Sequence, residues 1–304
     1  MTTQNLPDTR AAATPTTATT VIAARPQRTL LDRSMAVWSA LVFLFLFAPI
    51  LVIIVYSFNT GRLLVAWDGF GFDAFQTMLS KPAIRDAVWV SIRTGLISAI
   101  FATFIGTLAG VAMARRPGKW VAWFAFLLIL VTVTPEIVDA VALLPWLVFL
   151  GQDAGLAVFN DGIVRLVIGH SLFSIAVVSY IVRSRLVGLD ENLEEASADL
   201  YAPPLPTFRK VTLPLVMPAV LAGGLLAFTL SLDNTVVSAF IQVSGSTPWP
   251  VYVLSAVRSG LRPEIAAVST VMLLLTLGAL ALVAWVLKRS GDSATQIAKT
   301  MGGG

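Results

Sequence analysis

The chain has 304 residues, of which 57% are hydrophobic and only 12% are charged, and its formal net charge is +4. Soluble domains carry about 25% charged residues, so this composition excludes an ordinary soluble domain and indicates an integral membrane protein. The chain has no cysteine, which excludes disulfide bonds and cysteine-ligated metals, and in a membrane chain a basic excess marks cytoplasmic loops more often than a nucleic-acid partner.

Residues 1–34 precede the apolar part of the chain and are rich in Thr, Ala, Pro and Gln. Because this segment lacks apolar periodicity, we expect a disordered cytoplasmic tail. It does not resemble a signal peptide, because the first apolar run begins only after Arg33 and is too long.

Residues 35–287 contain a series of long apolar runs. A helix needs about 20 apolar residues to cross a hydrocarbon core of about 30 Å. The runs are continuous and lack the alternating pattern of β-barrel strands. They predict an all-α integral membrane protein with six transmembrane helices, at residues 35–58, 88–114, 120–150, 163–182, 215–241 and 265–287, followed by a cytoplasmic C-terminal tail at 288–304.

The loops between the predicted spans differ in Lys and Arg, which are enriched on the cytoplasmic side of membrane proteins. One set of loops carries them densely and close to the span ends: Arg25, Arg28, Arg33, Arg115, Arg116, Lys119, Arg183, Arg185, Arg209, Lys210, Lys288 and Arg289. The other set has them spread over longer loops: Arg62, Lys81, Arg85, Arg258 and Arg262. The first set marks the cytoplasm, and both termini are predicted to lie there.

Residues 59–86 form the longest loop on the outer side and contain the aromatic segment WDGFGFDAF. One interpretation is a short interfacial helix anchored by Trp67, Phe70, Phe72 and Phe75, since aromatic rings favour the membrane interface. The alternative is a contact surface for an extracytoplasmic partner. A second outer segment at 244–254, SGSTPWPVYVL, is turn-rich and then apolar, which suits a re-entrant or interfacial element.

The loop between spans four and five, residues 190–212, is charged and rich in proline, so it must face water. We refer to it as the interspan loop. Asp190 is a candidate N-cap, and Glu191 in the first turn suits the helix dipole. Apolar residues then recur at helical spacing, which predicts a short amphipathic helix over 190–200. Its apolar positions are Leu193, Ala196 and Leu200, and its exposed acids are expected to be Glu194, Glu195 and Asp199.

Prolines interrupt the second half of the interspan loop, at positions 203, 204 and 206. They remove hydrogen-bond donors and restrict the residues before them, so the helix is not expected to continue through 202–206. Thr207 can cap a second helix, which would carry Phe208, Arg209 and Lys210. The resulting helix-turn-helix is either a docking surface for a partner outside the bilayer or a solvated loop without a partner.

A spaced motif runs through the interspan loop. Glu195, Ala196 and Ser197 are followed by Tyr201 after three residues, and by Val211-Thr212-Leu213-Pro214 after nine more. This spacing resembles, without a gap, the EAA motif of ABC importer permeases: Glu-Ala-Ala, three residues, Gly, nine residues, Ile, any residue, Leu-Pro. The resemblance covers almost the whole chain from the first span, including YSFN at 56–59. The segments TPEIVDAVALL (134–144) and LSLDNTVVSAFI (230–241) are most similar to the spermidine/putrescine permease group, in particular its second permease subunit.

The resemblance implies a type I ABC importer permease in the inner membrane of a bacterium, with a coupling helix that docks in a groove of a cytoplasmic ATPase. One chain carries one such loop, so two ATPase copies and a second permease, identical or different, are implied, together with an extracytoplasmic binding protein received by loops 59–86 and 242–264. No G-x-x-x-x-G-K-[ST] motif is present, so ATP and Mg²⁺ would belong to the ATPase, and this chain would be a non-catalytic subunit without a cofactor of its own. The implied coupling residues are Glu194, Glu195, Ala196, Asp199, Tyr201, Ala202, Phe208 and Arg209.

Tyr201 stands where the motif has Gly. Glycine there permits a positive φ and close approach of the partner, whereas tyrosine is sterically disfavoured in that region. Two interpretations follow. Either the turn adopts ordinary dihedral angles with help from the prolines, or the tyrosine ring packs against the partner.

Ionisable residues inside predicted spans are candidates for function, because their burial in a membrane is costly. Glu136 and Asp139 share a helix face in span three, and Asp233 with Asn234 lies in span five. Carboxylates facing a water-filled path would suit a cationic substrate, and Trp146 could add cation–π attraction. Alternatively, these acids lie at the outer end of the bundle and pair with Arg258, Arg262 or the other permease. His170 is expected to be an interhelical hydrogen-bonding residue rather than a ligand.

The predicted function is therefore the permease subunit of an ATP-driven importer, which forms the translocation path for a small solute delivered by an extracytoplasmic binding protein. The expected solute is a polyamine or a related organic cation. Other substrates remain open, including an amino-acid-like compound, ferric iron or another ion. A secondary transporter driven by an ion gradient is the second hypothesis, but it usually shows paired internal repeats, and none is visible. An intramembrane enzyme would need paired nucleophile and base or metal ligands, which a chain with one His and no Cys does not supply.

Overall fold

The computed structural model describes residues 30–116, 118–189 and 192–289, and its regular elements in these ranges are helices. Of the predicted tails, 1–34 and 288–304, residues 30–34 and 288–289 are helical, in α1 and α12. The remainder of both tails, and the predicted cap at Asp190 and Glu191, lie outside the described residues. The longer helices are α1 (Leu30–Tyr56), α3 (Pro82–Arg115), α4 (Lys119–Val133), α5 (Glu136–Val148), α6 (Gly162–Val187), α9 (Leu213–Asp233) and α12 (Pro263–Arg289). The shorter ones are α2 (Asp73–Ser80), α7 (Asn192–Asp199), α8 (Pro204–Thr207), α10 (Val236–Ile241) and α11 (Trp249–Ser259). The predicted all-α class is confirmed.

The chain divides into two compact units, and the boundary between them lies within α1. The first unit ends at Pro49 and the second begins at Ile50. The described part of the first unit is the apolar N-terminal portion of α1, whose described side chains are almost all exposed. An apolar helix of this kind is compatible with contact to lipid. The remaining helices, and every site considered below, lie in the second unit.

Helices α3, α6 and α9 form the centre of the second unit. Their shared cluster of buried side chains comprises Ala99, Ala102, Val178, Val182, Leu186, Val216 and Ala227. Helix α3 approaches α6 so closely that a Cβ added to Gly106 would lie 2.7 Å from the Val178 side chain, and one added to Gly110 would lie 2.7 Å from the Ser179 carbonyl oxygen. Small residues allow such close backbone contact between membrane helices, where packing drives association.

Among the described residues, five helices are long and apolar enough to cross a membrane. They are α1, α3, α6, the continuous stretch Pro204–Asp233 and α12. A sixth candidate consists of α4 and the following helix, Glu136–Asp153, which are bent by 103° at the break between them. The predicted number of six holds only if this bent pair forms one span.

Two predicted spans are interrupted, and in this detail the sequence-based prediction of single helices was wrong. Span three breaks between α4 and α5, where Thr134 and Pro135 adopt extended backbone angles. Proline explains this break, because it has no N–H and pushes the residue before it out of the helical region. Span five breaks at Asn234, with ψ of 96°, so that α9 ends at Asp233 and α10 starts at Val236.

The outer loop is built differently from a single interfacial helix. Trp67, Phe70 and Phe72 precede α2, and only Phe75 lies within it. The Phe70 ring stacks on Phe58 at a centroid distance of 5.2 Å, and Phe72 and Phe75 pack against the same ring. The loop therefore folds as a compact aromatic cluster rather than as one amphipathic helix.

Candidate functional site

The interspan loop folds as α7, a tight turn and α8, and α8 continues through a π-helical turn at Phe208–Thr212 into α9. The turn is a Schellman motif, in which the Ala202 N–H donates to the Ser197 carbonyl (3.1 Å) and the Tyr201 N–H donates to the Ala198 carbonyl (2.8 Å). The helix resumes at Pro204 because proline is accepted in the first turn, where its missing N–H has no helical partner. The interruption therefore covers 200–203, and the prediction that the helix is absent through 202–206 was wrong for residues 204–206.

Tyr201 has φ of +58°, the one positive φ outside glycine in the described part of the chain. It occupies the position of a Schellman motif that adopts left-handed backbone and is usually glycine. The interpretation that the turn uses ordinary dihedral angles was wrong. The Tyr201 side chain is 95% exposed, so the described residues give its ring no packing to offset the backbone strain.

We predict that Tyr201→Gly stabilises the isolated chain by about 1 kcal/mol. Left-handed backbone costs a residue with a Cβ roughly 1–2 kcal/mol, and the extra chain entropy of glycine offsets part of the gain. The measurement is the thermal unfolding midpoint of the detergent-solubilised chain. Asparagine tolerates left-handed backbone, so the midpoint of Tyr201→Asn should lie between those of the unmodified chain and Tyr201→Gly. Tyr201→Val should lower the midpoint. A lower midpoint for Tyr201→Gly would contradict the prediction.

Glu194 faces its own chain, which corrects the expectation that it lies on the exposed face with Glu195 and Asp199. Its Oε1 accepts hydrogen bonds from Nε of Arg115 (3.1 Å) and from Oγ1 of Thr212 (2.8 Å). Arg115 is the last residue of α3, and Thr212 immediately precedes α9. One carboxylate therefore ties α7 to two of the three central helices.

A second tie lies within the interspan loop, where the hydroxyls of Ser197 and Thr207 are 2.9 Å apart. The Thr207 hydroxyl also donates to the Pro203 carbonyl at 3.2 Å. Thr207 was expected to cap the second helix, but the helix begins three residues earlier, at Pro204, and Thr207 lies at the end of its first turn. The contact between Ser197 and Thr207 holds α8 against α7, and the bond to Pro203 is local to the start of α8.

The opposite side of the interspan loop presents apolar and charged side chains that the described residues do not cover. The exposed apolar side chains are Leu193, Leu200, Tyr201 and Leu205. The exposed predicted coupling residues are Glu195, Ala196, Asp199 and Arg209, while Ala202 and Phe208 are half-buried. Exposed apolar groups with charges among them are typical of a protein interaction surface.

A cavity of about 390 Å³ lies beside the break between α9 and α10. Asp233, the last residue of α9, is exposed and lines it. The other lining residues come from α3, α9, α11 and α12: Ser91, Thr229, Leu230, Leu232, Trp249, Met272, Leu273 and Thr276. The wall therefore combines one carboxylate, three hydroxyls, one indole ring and an apolar surface.

Two of these wall residues are fixed to each other across the fold. The Trp249 backbone N–H, at the start of α11, donates to Oγ of Ser91 on α3 at 2.7 Å. Pro248 precedes Trp249 and has extended backbone angles, so the helix begins at this bond. The sequence predicted a turn-rich and then apolar element over 244–254, but nothing in it connected this element with Ser91 or Thr276.

The other predicted path residues are not brought into this cavity. Asn234 lies at the break, where its Oδ1 is 3.4 Å from the Ser238 N–H. Glu136, Asp139 and Trp146 lie on α5, whose buried side packs against α10 in a cluster that includes Ala140 and Val237. Glu136 and Trp146 are exposed and Asp139 is half-buried. Within the described ranges, neither Asp233 nor the two acids of α5 form an ion pair with Arg258 or Arg262.

Segments of the loops predicted to face outward meet at the end of α3 that is remote from Glu194. The Leu64 N–H donates to the Leu261 carbonyl at 3.0 Å, and Lys81, just before α3, forms an ion pair with Glu264. Asn59 is buried and holds the first outer loop by donating to the Ala66 carbonyl at 2.7 Å and accepting from the Asp68 N–H at 3.0 Å. Loops 59–72 and 260–264 therefore form one connected surface.

Residues 106–292 match the family described as the binding-protein-dependent transport system inner membrane component. The putrescine transport system permease protein PotI of Escherichia coli K12 is 37% identical over 81% of this chain and 87% of its own length. The spermidine/putrescine permease protein PotC of the same strain is 35% identical over 78% and 87%. A solved bacterial ABC transporter that imports the acidic polysaccharide alginate has a chain with the same fold, with a TM-score of 0.66 at 14% identity over 86% of this chain and 94% of that one.

Proposed function

Because this chain belongs to the family of binding-protein-dependent transport system inner membrane components, the non-catalytic permease subunits of ABC importers, we propose that it forms the translocation path for a polyamine or a related organic cation. The observation that carries the proposal is the Asp233 carboxylate at the helix break, exposed to a cavity of about 390 Å³. The relatives PotI and PotC, named as putrescine and spermidine/putrescine permeases, support this substrate class.

The wall of the cavity suits a protonated amine on an alkyl chain. The Asp233 carboxylate supplies charge attraction, which is stronger beside apolar walls than in bulk water. Trp249 supplies an aromatic ring that attracts cations, and the hydroxyls of Ser91, Thr229 and Thr276 accept ammonium hydrogen bonds. Apolar side chains of α9 and α12 line the remainder, where methylene groups can pack. We also propose that Glu136, Asp139 and Trp146 on α5 form a second acidic site along the translocation path.

The exposed side of the interspan loop is proposed to dock with a cytoplasmic ATPase, which holds ATP and Mg²⁺. Its uncovered leucines and Tyr201 would enter an apolar groove, and Glu195, Asp199 and Arg209 would form the charged edges. Each permease presents one such loop, so the complex needs two ATPase copies and a second permease, identical or different. In this arrangement the loop and both termini face the cytoplasm of a bacterial cell, and the connected outer surface receives the binding protein.

Glu195→Lys should weaken assembly with the ATPase by about tenfold, because a reversed charge at an interface meets the partner groups that matched the original one. The measurement is the fraction of ATPase that co-purifies with the tagged permease, determined at increasing concentrations of the ATPase. Asp86→Lys is the matched control, since Asp86 is also an exposed acid and lies on α3, near the end remote from Glu194. Unchanged assembly in Glu195→Lys would contradict the docking surface.

The substrate is tested by reconstituting the chain in liposomes with the ATPase, second permease and binding protein from its own genome. ATP-driven accumulation of labelled putrescine or spermidine, competed by unlabelled polyamine, is expected. Uptake of only anions, sugars or phosphonates would overturn the polyamine proposal. Uptake by this chain alone, driven by an ion gradient without ATP, would overturn the importer mechanism for it.

A further inference from the structure

A buried histidine bridges the two arms of the broken span. His170 lies on α6 and is 3% exposed. Its Nδ1 is 2.6 Å from Oγ of Ser231 on α9, and its Nε2 is 2.8 Å from Oγ of Ser238 on α10. A neutral imidazole has one donor and one acceptor nitrogen, and here both are satisfied by hydroxyls. His170 is thus the interhelical hydrogen-bonding residue that the sequence predicted, but its two partners lie on either side of the break.

Together, the two hydrogen bonds of His170 favour a broken span over a straight helix. Ser231 and Ser238 are seven residues apart, which corresponds to a rise of about 10.5 Å along a straight α-helix. The two hydrogen bonds of 2.6 and 2.8 Å, together with the width of one five-membered ring, fall well short of that rise. If α9 and α10 became one straight helix, His170 would lose at least one of its bonds and leave a buried polar group unsatisfied.

The packing around His170 keeps α10 within reach of it. A Cβ added to the neighbouring Gly169 would lie 2.6 Å from Cδ1 of Ile241 and 2.8 Å from Cγ1 of Val237, so α10 rests directly on the backbone of α6. At the break itself, the Thr235 hydroxyl donates to the Asp233 carbonyl at 3.1 Å. The backbone freed by the break is thus engaged locally, while His170 supplies the contact that spans it.

We propose that His170 is a positioning residue, which holds α9 and α10 in their broken arrangement and thereby presents Asp233 to the cavity. Ser231 is only two residues before Asp233, so a fixed Ser231 fixes the end of α9 from which the carboxylate projects. The consequence for transport rests on the proposed function, whereas the consequence for the geometry of the break does not.

The geometric test measures the distance between the two arms in the assembled importer. This chain has no cysteine, so Met217→Cys on α9 and Phe240→Cys on α10, both partly exposed, introduce its two labelling sites. Pulsed electron–electron spin resonance gives the distance between the spin labels. His170→Phe keeps a ring but removes both bonds, and it should shift the distribution toward the roughly 35 Å expected for 23 residues of straight helix.

Three further variants separate the loss of the two His170 hydrogen bonds from a general packing effect. His170→Gln retains a donor and an acceptor and should keep the original distance and most of the uptake. Ser231→Ala combined with Ser238→Ala removes both partners with little change in volume, and should reproduce the longer distance even if His170→Phe does not assemble. Ser171→Ala is the matched control, because the buried Ser171 hydroxyl donates to the Val167 carbonyl of its own helix (2.6 Å) and bonds neither α9 nor α10 among the described residues. It should change neither distance nor uptake.

Uptake should fall about tenfold or more in the variants that lengthen the distance, and should recover in His170→Gln. An unchanged distance in both His170→Phe and the double serine variant would overturn the proposal, whatever happens to uptake. A wild-type importer that carries no organic cation would overturn the proposed function instead, and the distance measurements would still decide the role of His170.

Discussion

Asp233→Asn is expected to lower ATP-driven uptake of a diamine by about tenfold to a hundredfold. A unit charge about 4 Å from a cation contributes several kcal/mol at an effective dielectric constant near 20, and each 1.36 kcal/mol corresponds to a factor of ten in rate. Water in the cavity screens part of this attraction, because Asp233 is exposed. Asparagine has nearly the same shape, so the change isolates the charge.

The measurement is the initial rate of labelled putrescine uptake in liposomes, normalised to assembled complex. Asp233→Glu, which restores the charge on a longer side chain, should recover a large part of the rate. Asp153→Asn makes the same chemical change at an exposed position outside the cavity and outside the loops proposed to receive the binding protein, and should leave the rate unchanged. Equal rates for Asp233→Asn and the unmodified chain would rule out Asp233 as the cation subsite.

Glu194→Ala is expected to separate ATP hydrolysis from transport. The exposed side of α7 remains intact in this variant, so the ATPase should still assemble and hydrolyse ATP. Uptake should fall about tenfold or more, because the carboxylate that ties α7 to Arg115 and Thr212 is gone. Hydrogen bonds to charged groups contribute about 1.5–3 kcal/mol each, and partial exposure of this ion pair reduces its share.

The ratio of solute transported to ATP hydrolysed reports this effect directly. Glu194→Gln keeps an acceptor oxygen for Thr212 and should give an intermediate ratio. Glu195→Gln alters the neighbouring exposed acid and should change assembly more than the ratio. If Glu194→Ala lost ATPase assembly and Glu195→Gln did not, the assignment of the two glutamates to the inner and outer sides of α7 would be wrong.

The two sites lie on one continuous element, which gives a physical route between them. The stretch Pro204–Asp233 is a single 30-residue candidate span, about 45 Å long at 1.5 Å per residue. Its first turns belong to the interspan loop, and its last residue is the cavity acid. We expect a displacement of the docked loop to move this helix as a unit. The movement would reach the hydrogen bonds of His170 and, through them, Asp233.

The protein class, the approximate spans and the family could all be predicted from the order of the residues. Apolar runs of the length of a bilayer leave few alternatives to membrane helices, and the spacing from Glu195 to Pro214 identified the interspan loop. Asp233 was also predicted as a path residue, because a carboxylate within an apolar run is too costly to be incidental. These conclusions depend on composition and on spacing along one chain.

The tertiary structure decided which way those residues face and which distant residues they meet. Helical periodicity placed Glu194 and Glu195 on one charged surface, yet Glu194 turns inward because Arg115, 79 positions away, ends beside it. Ser91 and Trp249 share the cavity wall across 158 positions, and His170 reaches both arms of a break that no pattern marked. Hydrophobic periodicity gives the apolar side of a single helix, whereas these contacts depend on how close the neighbouring helices pack, and that is set by side-chain volumes on all of them together.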